Sequence, residues 1–265
     1  MPDRPNECAE LLLALGEQPS RRFPEVAEAA VACLDRIGTR DAGRETFGWE
    51  PEEQRSPLSP QFVVHLLEGL QRFKSGILCG AAAEKIASRL ETFSPVTVIV
   101  PAIEQICSRA RQKTVAVDSS VALLWTSVAE FLLGRSEAPP GPPTDWRLNV
   151  ELSCSCPDCQ ELQYFALDPA ERVHRFRVKK ERRRHLHSVI DTHRLDMTHV
   201  TDRVGSPQAL VCTKDRRSFD RQMKQYQDEI TAMRTLLGVA PGSGNAAVLS
   251  ERMQTAVKLA VDLKQ

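Results

Sequence analysis

The sequence predicts a mainly α-helical protein. An N-terminal helical array, solenoid- or bundle-like, is joined by a Pro-rich linker to a small α+β domain with a long C-terminal helix. Three observations carry this expectation. In the first half, apolar residues such as Val26, Ala29, Ala30, Cys33, Leu34 and Ile37 recur at three- and four-residue spacing, the stripe of an amphipathic helix. Residues 139–143 read PPGPP, which a helix cannot cross. Beyond it the period drops to two at Trp146, Leu148, Val150 and Leu152, as in a half-buried strand. Aromatic residues make up only 5% of the chain, so Leu, Val, Ile and Ala must build the core, which suits helices better than a β-sandwich. The expected division is a helical domain at 1–135, a linker at 136–145, an α+β Cys/His domain at 146–237, and a flexible break with a terminal helix at 238–265.

Helices are expected near 6–16, 60–73, 76–91, 96–112 and 115–133. Three starts place Pro at the first helical position, at Phe23-Pro24, Ser59-Pro60 and Ser94-Pro95. In the last two, the serine hydroxyl is placed to cap the unpaired N–H groups. The prolines are 36 and 35 residues apart, the period of a two-helix repeat. Residues 39–58 read as a polar loop, with Trp49 anchoring it or meeting a partner.

After the linker, the strand at 146–152 leads into the cysteines of "LSCSCPDCQEL". Asp168, Pro169 and Glu171 have the N-cap, first-position and third-position pattern of a helix start, followed by "VKKERRRHLHSVIDTHR". A turn at Gly205-Ser206-Pro207 then precedes a short strand at 209–213. A helix near 215–237 carries Phe219, Met223, Tyr226, Ile230, Met233 and Leu237 in heptad register, a seam that docks on its own chain or pairs in a coiled coil. The last helix, near 246–264, packs back onto the body or hangs loosely.

The cysteines and histidines are unevenly distributed. Cys8, Cys33, Cys79 and Cys107 lie singly on expected helices, and His65 sits in an apolar run. Cys33, Cys107 and His65 read as packed residues. By contrast Cys154, Cys156, Cys159 and Cys212 share the second half with His174, His185, His187, His193 and His199. A C-x-C-x2-C start with imidazoles nearby is what tetrahedral zinc requires. The Cys156-Pro157-Asp158-Cys159 loop can place two sulfurs, about 4 Å apart, on one ion. The expected ligands are Cys156 and Cys159, with His185 first among the histidines and Cys154 or Cys212 completing the shell. His187 lies about 200° around a helix from His185, so the two do not easily share an ion. A structural zinc knuckle is the leading reading, with buried free thiols and redox or transient disulfide chemistry as alternatives. A redox C-x2-C opens a helix in a thioredoxin-like unit, a context that is not expected here.

Between Arg172 and His187 lie eight Lys and Arg, with Glu181 among them. Arg175, Arg177, Lys179, Lys180, Arg182, Arg183 and Arg184 are candidates for contacting nucleic-acid phosphates. Alternatively, this is a solvated helix whose arginines pair with the acidic first half. Residues 1–145 hold 15 Lys+Arg against 20 Asp+Glu, and residues 146–265 hold 20 against 15. The second half is therefore only modestly basic, and it has few aromatics for stacking bases. No run of apolar residues is long enough for a membrane span. The N-terminus MPDRPNECAE lacks a secretory pattern. An intracellular protein, cytoplasmic or nuclear, with a protein partner is expected, and nucleic acid is the alternative partner.

The pattern Cys156, Cys159, Leu162, Phe165, Asp168, Pro169, Phe176, Lys179, Arg184, His185, then Gly205, Ser206, Pro207 and Thr213-Lys214, resembles a region of large fungal 2-oxoglutarate/Fe(II) dioxygenase-like proteins. In those proteins it follows the catalytic domain, and the resemblance covers roughly 146–237 with a similar helical stretch upstream. It implies a non-catalytic accessory part. Iron in that class is held by H-x-D/E and a distant His. No H-x-D or H-x-E occurs here, and no dioxygenase activity is expected. Phosphate-loop, dinucleotide, nucleophile-elbow and H-E-x-x-H signatures are also absent. The expectation is a non-catalytic interaction or scaffold module with structural zinc. A zinc-dependent hydrolase, with Glu151 or Glu161 as base, is the enzymatic alternative.

Overall fold

The computed structural model describes residues 4–16, 24–38, 58–113, 117–241 and 245–262. Among these, the chain is mainly helical, with ten α-helices and one small antiparallel sheet. Most of the expected polar loop, including Trp49, lies outside the described residues. Two compact units result. One joins Met1–Ala138 to Gln227–Gln265, and the other is Pro139–Tyr226.

The first unit contains α1 (Pro5–Gly16), α2 (Pro24–Cys33), α3 (Pro60–Arg72), α4 (Gly76–Ala87), α5 (Val100–Lys113) and α6 (Ser119–Ser136). Helix α3 buries Val63, Val64, Leu67 and Leu70, and α1 packs along it. Gly69 sits at that crossing, where an added Cβ would lie 3.1 Å from Leu12 Cγ. Helix α6 is capped by Asp118, whose side chain accepts from the Ser120 N–H at 2.8 Å. The two serine caps expected from the sequence differ in outcome. Ser94 accepts from the Thr97 N–H at 3.3 Å and opens a π-helical turn, Pro95–Ile99, ahead of α5. Ser59 makes no cap bond. Its hydroxyl lies 3.0 Å from Asn6 Oδ1, a partner distant in sequence that competes with the local N–H groups.

The long helix α9 (Arg217–Gly238) is divided between the units. Of its heptad seam, Tyr226, Ile230 and Met233 are buried within this one chain. In the first unit, Trp125 Nε1–H donates to the Leu236 carbonyl at 3.0 Å, and buried Glu229 pairs with Arg135 at 3.2 Å. These contacts explain why 227–238 groups with the N-terminal helices rather than with the α+β residues before it. The terminal helix α10 (Asn245–Asp262) packs back on α6. It buries Leu249, Met253 and Ala256, and Arg252 grips Glu137 through two bonds of 2.9 and 3.0 Å.

The second unit places a three-stranded antiparallel sheet against α7 (Pro157–Leu167) and α8 (Lys180–Thr192). The strands β1 (Val173–Arg177), β2 (Met197–Asp202) and β3 (Ala209–Lys214) run in the order β1-β3-β2. Gly205 at φ 86° and a cis Ser206–Pro207 bond form the turn before β3. Strand alternation sends Phe176, Leu210, Cys212 and Met197 into a core shared with Cys159, Leu162 and Phe165 of α7 and Leu186 and Ile190 of α8.

Two sequence expectations fail in this unit. Residues 146–152 are not a strand. Their backbone pairs with α7 instead, through Leu148 N–H to the Ala166 carbonyl at 2.8 Å and a Gln163 side chain acting as a strand substitute. Gln163 accepts from the Leu152 N–H at 2.8 Å and donates to the Val150 carbonyl at 2.6 Å. Nor does the basic helix begin at Asp168. The Asp168 carboxylate accepts from the Ala170 and Glu171 N–H groups at 2.7 and 2.8 Å, closing a turn that leads into β1. The helix starts only at Lys180.

Candidate metal centre

Cysteine 156 is the N-cap of α7, and Pro157 fills the first position, where its missing N–H costs nothing. Cys159 falls on the first turn and faces the core, fully buried. Cys154 belongs to the extended segment that Gln163 holds beside α7. From the other side, α8 presents His185. One ligand atom from each of Cys154, Cys156, Cys159 and His185 lies within 4.8 Å of all the others. His185 Nε2 is 3.4 Å from Cys154 Sγ and 3.2 Å from Cys159 Sγ. A tetrahedral zinc with bonds of about 2.3 Å to sulfur and about 2.05 Å to nitrogen sets S···N near about 3.6 Å and S···S near about 3.8 Å. The two S···N distances come within a few tenths of an ångström of that spacing, and the remaining pairs lie within 4.8 Å.

The thiols differ in environment. Cys156 is pulled down to about 7, first by the Cys159 backbone N–H beside it. Cys159 is pushed up to about 12, first by its burial. A cation would remove this difference, since coordinating thiols are deprotonated outright.

A second link joins the same two helices. Asp158, between the C-x2-C cysteines, is buried, and both its oxygens face the Arg182 guanidinium, with Nε to Oδ2 at 2.5 Å. Arg182 and His185 are three apart on α8, hence on one face. Arg182, a candidate phosphate contact by sequence, is thus an internal partner of Asp158. The signal was present, since an acid inside the cysteine loop faces an arginine-rich helix, but only the packing identifies which arginine it meets.

The expected ligand Cys212 does not join the group. It lies at full burial on β3, between His174 and His199 in register, and burial pushes its thiol up to about 12. The C-x2-C opens helix α7 at Pro157, as a redox C-x2-C does. The flanking βαβ arrangement of a redox unit is still absent from the described residues, where all strand pairs are antiparallel.

The basic residues divide into two groups. Arg175 pairs with Asp202, Arg182 with Asp158, and Arg183 is buried, bonding to the Val178 carbonyl at 2.6 Å and to Gln208 Oε1 at 2.9 Å. Those partners lie in the same unit, not in the acidic first half. Arg177, Lys179, Lys180 and Arg184 are exposed and have no ion-pair partner among the described residues. Of the candidate hydrolytic bases, Glu151 is exposed and Glu161 is engaged by His174 Nε2 at 2.8 Å.

In the first unit, a cavity of about 240 Å³ lies among Leu12, Val26, Cys33, Leu34 and Phe62. Its lining is apolar apart from Glu25 and the thiols of Cys8 and Cys33. No described helix is long and apolar enough to cross a membrane. Compared with family models, curated proteins and solved structures, the chain matches none.

Proposed function

We propose that residues 139–226 form a zinc-stapled interaction module with no catalytic role of its own. One Zn²⁺ held by Cys154, Cys156, Cys159 and His185 would tie the extended segment and α7 to α8. The gathering of three thiols and an imidazole within 4.8 Å of one another carries this reading. Thiolate-rich tetrahedral sets favour zinc over hard cations. Four protein donors leave no position for a reactive water, which separates structural from hydrolytic zinc sites. A non-catalytic role also agrees with the resemblance to an accessory region of dioxygenase-like proteins, and with the lack of an H-x-D/E pair.

A protein is the partner we favour. Nucleic acid is the second reading, and the exposed cations Arg177, Lys179, Lys180 and Arg184 are the observation that supports it. Metal analysis of the purified chain tests the first. We expect zinc to copurify, and Cys156→Ser to lose it with a fall in Tm of roughly 10 °C or more. A metal-free wild type with the same Tm as the variant would refute it. Fluorescence anisotropy with labelled DNA and RNA at low salt tests the second, and a flat response would remove it.

A further inference from the structure

We propose that His187 and His199 form a second divalent-cation site, an imidazole site for Zn²⁺, Ni²⁺ or Cu²⁺. It goes beyond the thiol centre and uses none of its ligands.

The two rings come from rigid elements, α8 and β2. Their Nδ1 atoms face each other at 2.5 Å, with ring centroids 4.8 Å apart and planes at 56°. The outer nitrogen of each ring is already engaged. His199 Nε2 lies 3.1 Å from Asp191 Oδ1, and His187 Nε2 lies 3.4 Å from Thr201 Oγ1. An ionised carboxylate only accepts, so the neutral His199 ring keeps its hydrogen on Nε2 and a lone pair on Nδ1. The Thr201 hydroxyl can accept as readily as donate. At 2.5 Å the two Nδ1 atoms share one hydrogen, donated by His187 to His199; a cation takes that place when the His187 hydrogen moves to Nε2 and bonds Thr201 Oγ1, which turns both Nδ1 lone pairs to the same spot.

A carboxylate on the far nitrogen of a ligating imidazole is the recurrent outer partner of metal-bound histidine, fixing its tautomer and raising its basicity. Asp191 is placed to do this for His199. Bonds of about 2.05 Å to each nitrogen set N···N near about 3.3 Å, so the rings need part by less than about 1 Å. His187 is two residues from His185, about 200° around the helix, so the two sites use different faces of α8. With two protein ligands and water completing the shell, this site should bind more weakly than the thiol centre. Imidazole donors suit Zn²⁺, Ni²⁺ and Cu²⁺.

Equilibrium dialysis of the full chain against buffered free Zn²⁺ tests the proposal, with metal counted per chain in wild type, His187→Gln, His199→Gln and Cys156→Ser. We expect each histidine variant to bind one ion fewer than wild type, with unchanged circular dichroism. The ion missing from Cys156→Ser should be the tighter one, so failure of the thiol centre shows up separately. Long-range ¹H–¹⁵N spectra give a second readout, in which added Zn²⁺ should shift Nδ1 of both His187 and His199. Equal ion counts in wild type and both histidine variants, or Nδ1 signals that do not respond to Zn²⁺, would overturn the proposal.

Discussion

At the scale of single residues, His174 makes the most direct electrostatic prediction. Its Nδ1 lies 2.7 Å from Glu171 Oε1 and its Nε2 2.8 Å from Glu161 Oε1. Burial lowers its pKa, but the two carboxylates outweigh burial and the net shift is upward. A raised folded-state pKa stabilises most below the unfolded value of about 6.5, and the gain fades as pH rises through the folded value. His174→Gln should therefore cost more at pH 5.5 than at pH 8.5, by roughly 0.5–1 kcal/mol given the partly exposed partners. Urea titrations at the two pH values measure this, and an equal cost at both would show that the pairing contributes nothing. Asp158→Asn, also at this scale, keeps the shape but removes the charge facing Arg182, and a loss of about 1–3 kcal/mol is expected.

At the scale of elements, the extended segment 146–152 shows what local pattern cannot resolve. Its alternation correctly marks Leu148, Val150 and Leu152 as half-buried. Alternation records which side faces apolar surface and says nothing about what satisfies the backbone. Here the partner is Gln163, eleven residues beyond Leu152. Gln163→Ala should free the segment and weaken metal retention, because Cys154 would lose its support. Faster zinc loss to a chelator would show it, and unchanged release would mean the thiols hold the segment unaided. Helix periodicity in the first half was more legible, since α2 follows its amphipathic stripe and Pro24 and Pro60 open α2 and α3. Strand β1 was not, because Asp168-Pro169 imitates a helix start while closing a turn. At the α1–α3 crossing, Gly69→Val should cost about 1–3 kcal/mol by overpacking against Leu12, and thermal unfolding would register it.

Across the whole molecule, sequence spacing brought three of the four clustered donors into view through C-x-C-x2-C, and helix geometry singled out His185. Cys212 was misplaced because a strand in sequence does not reveal which face meets which helix. The His187–His199 pair was invisible for the same reason, since β2 was not expected. The central claim is that a metal ion binds Cys154, Cys156, Cys159 and His185 and closes the small unit around α7 and α8. X-ray absorption at the zinc edge of the metal-loaded Cys212→Ala protein, with the second site removed by His199→Gln, tests it most directly. A shell of three sulfurs at about 2.3 Å and one nitrogen at about 2.05 Å is expected. A shell of oxygens and nitrogens, without sulfur, would contradict it.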